Sequence, residues 1–482
     1  MTLRKQTFSG VRWTTFSSLG RAVLQVAQVA ILARLLAPAD FGLIAIAVAL
    51  MAFLQIFADA GVSNAIIHFS DITQEQLSSL YWLNVGVSGV LAALLIGSSQ
   101  WVADWYQEPV LRGLLMLAAI TMVASSLGQQ LRIQAQKELR FSDLAKLELV
   151  AALFGFASAV GLAWYGAGVY ALAAGSLVAA VMGSILAWLI LAQGWRPQWH
   201  LRFGEIQPFL KFGGYMIGNN LATTFNNQID VLLGARLLGV EAMGLFSVPK
   251  NLTLNVQMII NPIVTKVGLP VMAKVQHDAA LLKRVYVQTL RMTSSVNFPI
   301  YIYIWFFAPE IVHLMLGDKW QAAIPLLQIF ACWGLLRSIY NPVGSILYAT
   351  GKAKLAFKWN MALLLVIGPA IWAGSQFGVQ GIAFAMTALM ACLYLPTWYF
   401  LVRPSCGPSL VEYTMPLFAP LTLSILAGIA SHSIVAVLDH SMTRLLIGLA
   451  LGGLIYVGLS WRFNRDWVNA MMETLHVGSI NK

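Results

Sequence analysis

The stretch A-R-L-L-A-P-A-D-F-G-L at positions 33–43 has a near copy at 235–245, A-R-L-L-G-V-E-A-M-G-L. One constant offset pairs Arg34 with Arg236, Gly42 with Gly244 and Leu43 with Leu245. Carried outward without a gap, it also pairs Gln55 with Gln257 and Asp59 with Asn261. Carried inward, it pairs Gln25 with Asn227 and Gln28 with Asp230. These are polar groups on otherwise apolar segments, and a run of them in register marks a duplication. Self-similarity at a fixed period sets the architecture before any local reading does.

A mean hydropathy of +0.74 with 10% charged residues excludes an ordinary soluble domain. The apolar runs are about twenty residues or longer, enough to cross a hydrocarbon core as helices. They are continuous rather than alternating, which excludes a transmembrane β-barrel. The expected fold is therefore an all-α polytopic membrane protein. A net charge of +11 would suit nucleic acid in a soluble chain. Beside membrane spans it reads instead as cytoplasmic retention of loops and contact with anionic membrane lipids, so no nucleic-acid partner is expected. Cys332, Cys392 and Cys406 have no metal-ligand spacing. The two within spans read as small core residues. The N-terminal run from Trp13 to Leu36 is too long for a signal peptide and carries Arg21, Gln25 and Gln28, so it reads as a retained first helix.

Hydropathy gives about fourteen candidate spans. The first half carries them near 9–36, 41–67, 79–103, 110–133, 146–165 and 168–193. The second half carries them near 207–234, 242–268, 285–308, 321–349, 355–374 and 378–402. A further pair lies near 412–434 and 443–462. The division expected is an N-terminal lobe at 1–200, a C-terminal lobe at 201–403, and an additional two-helix segment with a tail at 404–482. With the N-terminus in the cytoplasm, most of the 30 basic residues fall on cytoplasmic segments, which puts both termini there. An even number of spans per half makes the repeats parallel. Such repeats are related by a pseudo-two-fold axis along the membrane normal, with a substrate path at their interface. A weaker late match, G-A-G-V-Y-A-L at 166–172 with G-V-Q-G-I-A-F at 378–384, opens the sixth span of each half.

Ionisable and amide side chains inside spans are expensive, so each is a candidate for function. Arg21, Gln25 and Gln28 share one face of the first span at i, i+4, i+7 spacing. Asn219, Thr223, Asn226, Asn227 and Asp230 build a comparable stripe on the seventh, with Thr223 at the position matching Arg21. The eighth offers Lys250, Asn251, Asn255 and Gln257, and the tenth Arg337. Together these predict a polar, net cationic cavity suited to a sugar chain and an anionic group. The substrate-binding candidates are Arg21, Gln25, Gln28, Asn219, Thr223, Asn227, Lys250, Asn255 and Arg337. Asp59 and Asp230 are candidates for coupling to a cation, H+ or Na+, and Asp59 reads equally as a buried ion-pair partner. Gln55 and Gln257 read equally as glue between helices. Arg34 and Arg236 read as snorkelling or capping groups, and Asp40 as an N-cap of the second span.

No nucleotide site, metal-ligand spacing or nucleophile motif is present; Gly351-Lys352 lacks the glycine spacing of a P-loop. No cofactor and no enzyme activity are expected. The order and spacing of several stretches resemble the Wzx-type polysaccharide flippases of the multidrug/oligosaccharidyl-lipid/polysaccharide exporter superfamily, nearest the colanic acid exporter subgroup. They are F-S-G-V-R-W (8–13), the stretch at 33–43, F-A-D-A-G-V-S-N-A-I-I (57–67), Y-W-L-N-V (81–85), Q-K-E-L-R-F (136–141), N-P-I-V-T-K-V (261–267), G-D-K-W (317–320) and G-L-L-R-S-I-Y-N-P-V-G-S (334–345).

The resemblance implies flipping of an undecaprenyl-diphosphate-linked oligosaccharide across a bacterial inner membrane by alternating access of two six-helix lobes. It also implies a polymerase and a chain-length regulator as partners. Two alternatives stand beside it. One is an ion-coupled exporter of drugs or small metabolites on the same fold. The other is a membrane polysaccharide polymerase or glycosyltransferase, which the short loops disfavour.

Overall fold

The structure is a computed structural model. It describes the backbone of residues 3–59, 62–69 and 71–469, with every side chain in them except those of 3–12, 15, 64, 68, 212–216, 219 and 258–267. The chain forms two compact units, Met1–Ser247 and Val248–Lys482. This is a division by packing; the division at 200/201 is one by repeat.

The first unit holds α1 (Leu3–Leu35), α2 (Pro38–Asp59), α3 (Val62–His68), α4 (Gln74–Tyr106), α5 (Val110–Lys137), α6 (Phe141–Trp164), α7 (Tyr170–Leu186) and α8 (Phe203–Leu238), with the start of α9 (Val240–Lys274). The second holds the rest of α9, then α10 (Ala279–Phe306), α11 (Ala308–Met315), α12 (Ala323–Ile339), α13 (Asn341–Ala349), α14 (Ala353–Ser375), α15 (Gly378–Cys392), the single turns α16 (Tyr394–Thr397) and α17 (Arg403–Cys406), α18 (Leu410–Val435) and α19 (Ser441–Phe463). Eleven spans among the described residues are long and apolar enough to cross a membrane, and a twelfth if α10 and α11, bent by 75°, count as one. The two sequence spans left over correspond to α8 and α9, of 36 and 35 residues. The protein is a multi-pass membrane protein.

Each unit repeats the same scheme of neighbours. In the first, α4 packs on α5, α5 on α7 and α7 on α6; in the second, α10 packs on α12, α12 on α15 and α15 on α14. Small residues let the last pair in each close up. A Cβ on Gly155 would lie 2.7 Å from the Ala179 Cβ, and one on Gly381 would lie 2.2 Å from the Gly374 carbonyl oxygen. Gly166 and Gly378, matched in the late repeat, both take left-handed φ, +82° and +72°.

The sixth helix of each half then relaxes into a π-helical turn, Ala187–Leu191 and Trp398–Val402. A π turn leaves carbonyls without their usual intrahelical donors. In both units a basic residue from the loop before the fifth span reaches that helix end, at the π turn in the first unit and just past it in the second. Arg140 donates to the carbonyls of Ile190 (3.0 Å) and Leu191 (3.2 Å). Lys352 Nζ donates to the carbonyl of Pro404.

The sequence offset at the start of the chain has a direct physical counterpart. A Cβ on Gly42 would lie 1.8 Å from the carbonyl oxygen of Val240, and one on Gly244 would lie 1.7 Å from that of Pro38. Pro38 matches Val240 at the same offset that matches Gly42 to Gly244. The contact is therefore reciprocal, as a local two-fold axis between the two glycines requires.

Several expectations need correcting. The tenth span stands as one crossing, Ala323–Ala349, but a turn at Tyr340 separates α12 from α13, whose first turn carries Pro342. Asp40 is not the N-cap. It sits inside the first turn of α2, and its carboxylate reaches back to accept from the Ala37 N–H at 2.9 Å. Cys406 is buried, but Cys332 and Cys392 are exposed on their helices. A thiol is a small hydrophobe, so a span tolerates it on either face.

The last two helices are built into the second unit. Gly428, Gly448 and Gly452 leave room for the rings of Phe306, Phe307 and Tyr303, which a Cβ would approach to 2.7, 2.4 and 2.5 Å. Tyr456 OH donates to the Ser295 carbonyl (2.8 Å), and Asn464 Nδ2 to Ser295 Oγ (2.9 Å). Replacing Gly42 or Gly244 by Leu should cost about 3 kcal/mol or more, because backbone rather than side chain fills the space. Detergent-solubilised G42L should lose most of its monodisperse yield, and a thermal midpoint within two or so degrees of the parent would refute the contact.

Candidate functional site

The polar groups of the spans form three sets, the first being the repeat-matched faces of α1 and α8 and the other two spatial clusters. On α1 of the first unit, Arg21 and Gln25 are exposed and Gln28 half-buried. Arg21 NH2 lies 3.3 Å from Glu148 Oε2 on α6, with both side chains partly exposed. Arg21 is thus half of an ion pair, and its partner Glu148 was absent from the polar stripes read in the sequence. On α8 the matching face runs from exposed Thr223 through half-buried Asn227 to fully buried Asp230. The Asp230 Oδ1 accepts from the Val231 N–H at 2.9 Å. The side chains of Asn219 and Asn261 lie outside the described residues.

The second cluster sits at the junction of α2 and α3. Asp59 Oδ1 accepts from the Ser63 hydroxyl and from Gln129 Nε2 at 3.0 Å, and Gln129 also lies 3.4 Å from Ser63 Oγ. Asp59 is half-buried and held by two neutral donors. That arrangement stabilises the carboxylate without cancelling its charge. Gln130, next along α5, is buried and donates to the Leu77 carbonyl at 2.8 Å. Its role is structural.

The third cluster belongs to the second unit. Arg337 Nε donates to Gln257 Oε1 at 3.2 Å, while Gln257 Nε2 donates to the Gly334 carbonyl at 3.2 Å. The guanidinium carbon stands 4.9 Å from the Trp333 ring centroid. Beneath them Tyr301 OH donates to the Thr253 carbonyl at 3.3 Å. Gly334 permits this closeness, since a Cβ there would meet Thr253 and Tyr301, both at 2.5 Å. Gln257 is therefore glue and positioning group at once, fixing an arginine that stays only half-buried. Lys250 is 5% exposed and Asn255 half-buried on the same helix as Gln257. A buried ammonium inside an apolar span is costly to keep.

The structure brings Arg337 together with Gln257, a residue left open between two roles in the sequence. It pairs Arg21 and Asp59 with residues the sequence reading missed. Glu148 was visible there as a carboxylate inside the fifth span, one fixed by no local pattern. Trp333 and Tyr301 look like any other membrane aromatics in one dimension. A double-mutant cycle on Gln257→Ala and Arg337→Ala, read by thermal stability, should give a coupling of about 0.5–1.5 kcal/mol. Strict additivity would break the assignment.

Residues 31–325 match the family described as "Polysaccharide biosynthesis protein", and the chain belongs to that family. It is 29% identical over 443 residues to the lipopolysaccharide biosynthesis protein WzxC of Escherichia coli (strain K12), covering 92% of this chain and 90% of that one. It is 29% identical over 461 residues to the teichuronic acid biosynthesis protein TuaB of Bacillus subtilis (strain 168), covering 95% of each. Among solved structures, the lipid II flippase MurJ in an inward closed conformation superposes with a TM-score of 0.76 at 13% identity, over 95% of this chain and all of that one. An inward-facing multidrug resistance MATE family transporter superposes with a TM-score of 0.54, also at 13% identity, over 93% and 99%. These likenesses establish the transporter fold.

Proposed function

We propose that this member of the polysaccharide biosynthesis protein family moves a lipid-linked oligosaccharide from one leaflet of a bacterial plasma membrane to the other. The observation that carries the reading is the pair of cationic side chains kept inside apolar helices, Lys250 buried and Arg337 half-buried. Arg337 is aimed by an amide on one side and an indole face on the other. A lipid diphosphate is the chemistry that rewards such groups. Its oxygens accept charge-assisted hydrogen bonds, and desolvation makes each one count. The amide and hydroxyl stripes of Gln25, Gln28, Thr223, Asn227 and Asn255 suit sugar hydroxyls, which both donate and accept.

The cargo sits on an undecaprenyl diphosphate carrier, both termini lie in the cytoplasm, and surrounding membrane lipids fill the flanks of the helices. The chain acts as a transporter and not as an enzyme. Asp59 is the better candidate for a coupling cation, H+ or Na+, because Ser63 and Gln129, which donate to it, are neutral, and Asp230 is the second. A polymerase and a chain-length regulator act after it on the same cargo.

Proteoliposomes carrying a fluorescent lipid-diphosphate oligosaccharide should show leaflet exchange without nucleotide. Lys250→Ala and Arg337→Ala should each slow it about tenfold or more, the worth of a charge-assisted hydrogen bond, and Arg337→Lys should recover part. Unchanged exchange in both alanine variants at equal reconstitution would overturn the reading. Asp59→Asn should remove the response of the rate to an imposed H+ or Na+ gradient; a response kept intact would move that role to Asp230.

A further inference from the structure

We propose that Glu75, His200 and Glu205 form a binding site for one divalent transition-metal ion, of the zinc or manganese kind. The carboxylate oxygens of the two glutamates and an imidazole nitrogen all lie within 4.8 Å of one another. Among the described residues, this is the one group of three such donors so placed. The three come from separate elements of the first unit. Glu75 stands in the first turn of α4, Glu205 in the first turn of α8, and His200 on the linker that enters α8.

The linker is held in place before any ion arrives. The Gln198 N–H donates to Ser78 Oγ (3.1 Å), and Trp82 Nε1 donates to the Gln198 carbonyl (2.8 Å). Ser79 Oγ donates to the His200 carbonyl (3.2 Å) and accepts from the Arg202 N–H (3.3 Å). The indoles of Trp82 and Trp199 stack at 4.3 Å with 12° between their planes. His200 is thus fixed on both sides, with its Nε2 2.8 Å from Glu205 Oε2. A site whose supports are already in place loses little entropy on binding.

Donor type selects the ion. One imidazole with two carboxylates suits zinc or manganese, whereas magnesium favours oxygen ligands and retains its waters. Three protein ligands leave a coordination position for water or an anionic group. Arg202, 3.5 Å from Glu205, is mostly exposed and free to swing away. An ion here would tie α4, the linker and α8 together, so binding would also stabilise the first unit.

The test uses untagged full-length protein in detergent, titrated with Zn2+ by calorimetry and by thermal shift, with Mn2+ and Mg2+ in parallel. One Zn2+ per chain with a raised thermal midpoint is expected, and no effect of Mg2+. Glu75→Gln alters an exposed side chain and should keep the fold while weakening Zn2+ about tenfold or more; His200→Asn should do the same. No uptake of Zn2+ up to about 1 mM, a Kd worth only some 4 kcal/mol, would overturn the proposal. So would uptake that Glu75→Gln and His200→Asn leave unchanged.

Discussion

The reciprocal contact of Gly42 with the Val240 carbonyl and Gly244 with the Pro38 carbonyl is the constraint on which the start of both repeats depends. Two helix beginnings meet there with backbone against backbone, and no side chain fits between them. Such closeness adds dispersion where apolar burial adds nothing, since lipid is as apolar as leucine. Because the contact is self-complementary, a change in one copy is felt by the other. This explains why the motif around each glycine is retained while flanking positions drift to different residues, Ala39 against Glu241 and Asp40 against Ala242.

Polar groups in the membrane interior follow a second constraint: each must find a partner or bear the full cost of dehydration. Arg21 meets it with an opposite charge, Asp59 with an amide and a hydroxyl, and Arg337 with an amide and a ring face. These solutions differ in what they leave available. An ion pair has spent its field, while a cation held by neutral groups still projects one. By that measure Arg21, paired with Glu148, has spent part of its field.

Much of this was legible in one dimension because hydropathy and repeat are one-dimensional properties. The duplicated A-R-L-L stretch locates the glycine contact, and the late glycine match locates both left-handed turns. The turn between α12 and α13 was not read, although Asn341 and Pro342 stand at it. Nor was the Arg21–Glu148 pair, whose members lie far apart along the chain. The cluster at His200 escaped for a related reason. His200 and Glu205 lie five residues apart, but Glu75 is far from both in sequence, and folding of the linker against α4 is what brings it to them. Arg140 and Lys352 looked like ordinary basic loop residues, and only the helix ends they reach, the π turn at Ile190 for one and Pro404 just past the π turn for the other, give them a task.

The docking of the last two helices on α10 has a consequence in time. Ser295 receives Tyr456 from 161 residues further along the chain, and Asn464 from 169. At about 5–20 residues per second of synthesis, α10 waits roughly 8–34 s for these partners. Throughout that interval Ser295 lacks the hydroxyl and amide that Tyr456 and Asn464 later supply. A ribosome that stops short of α19 therefore leaves Ser295 on α10 without these two late partners.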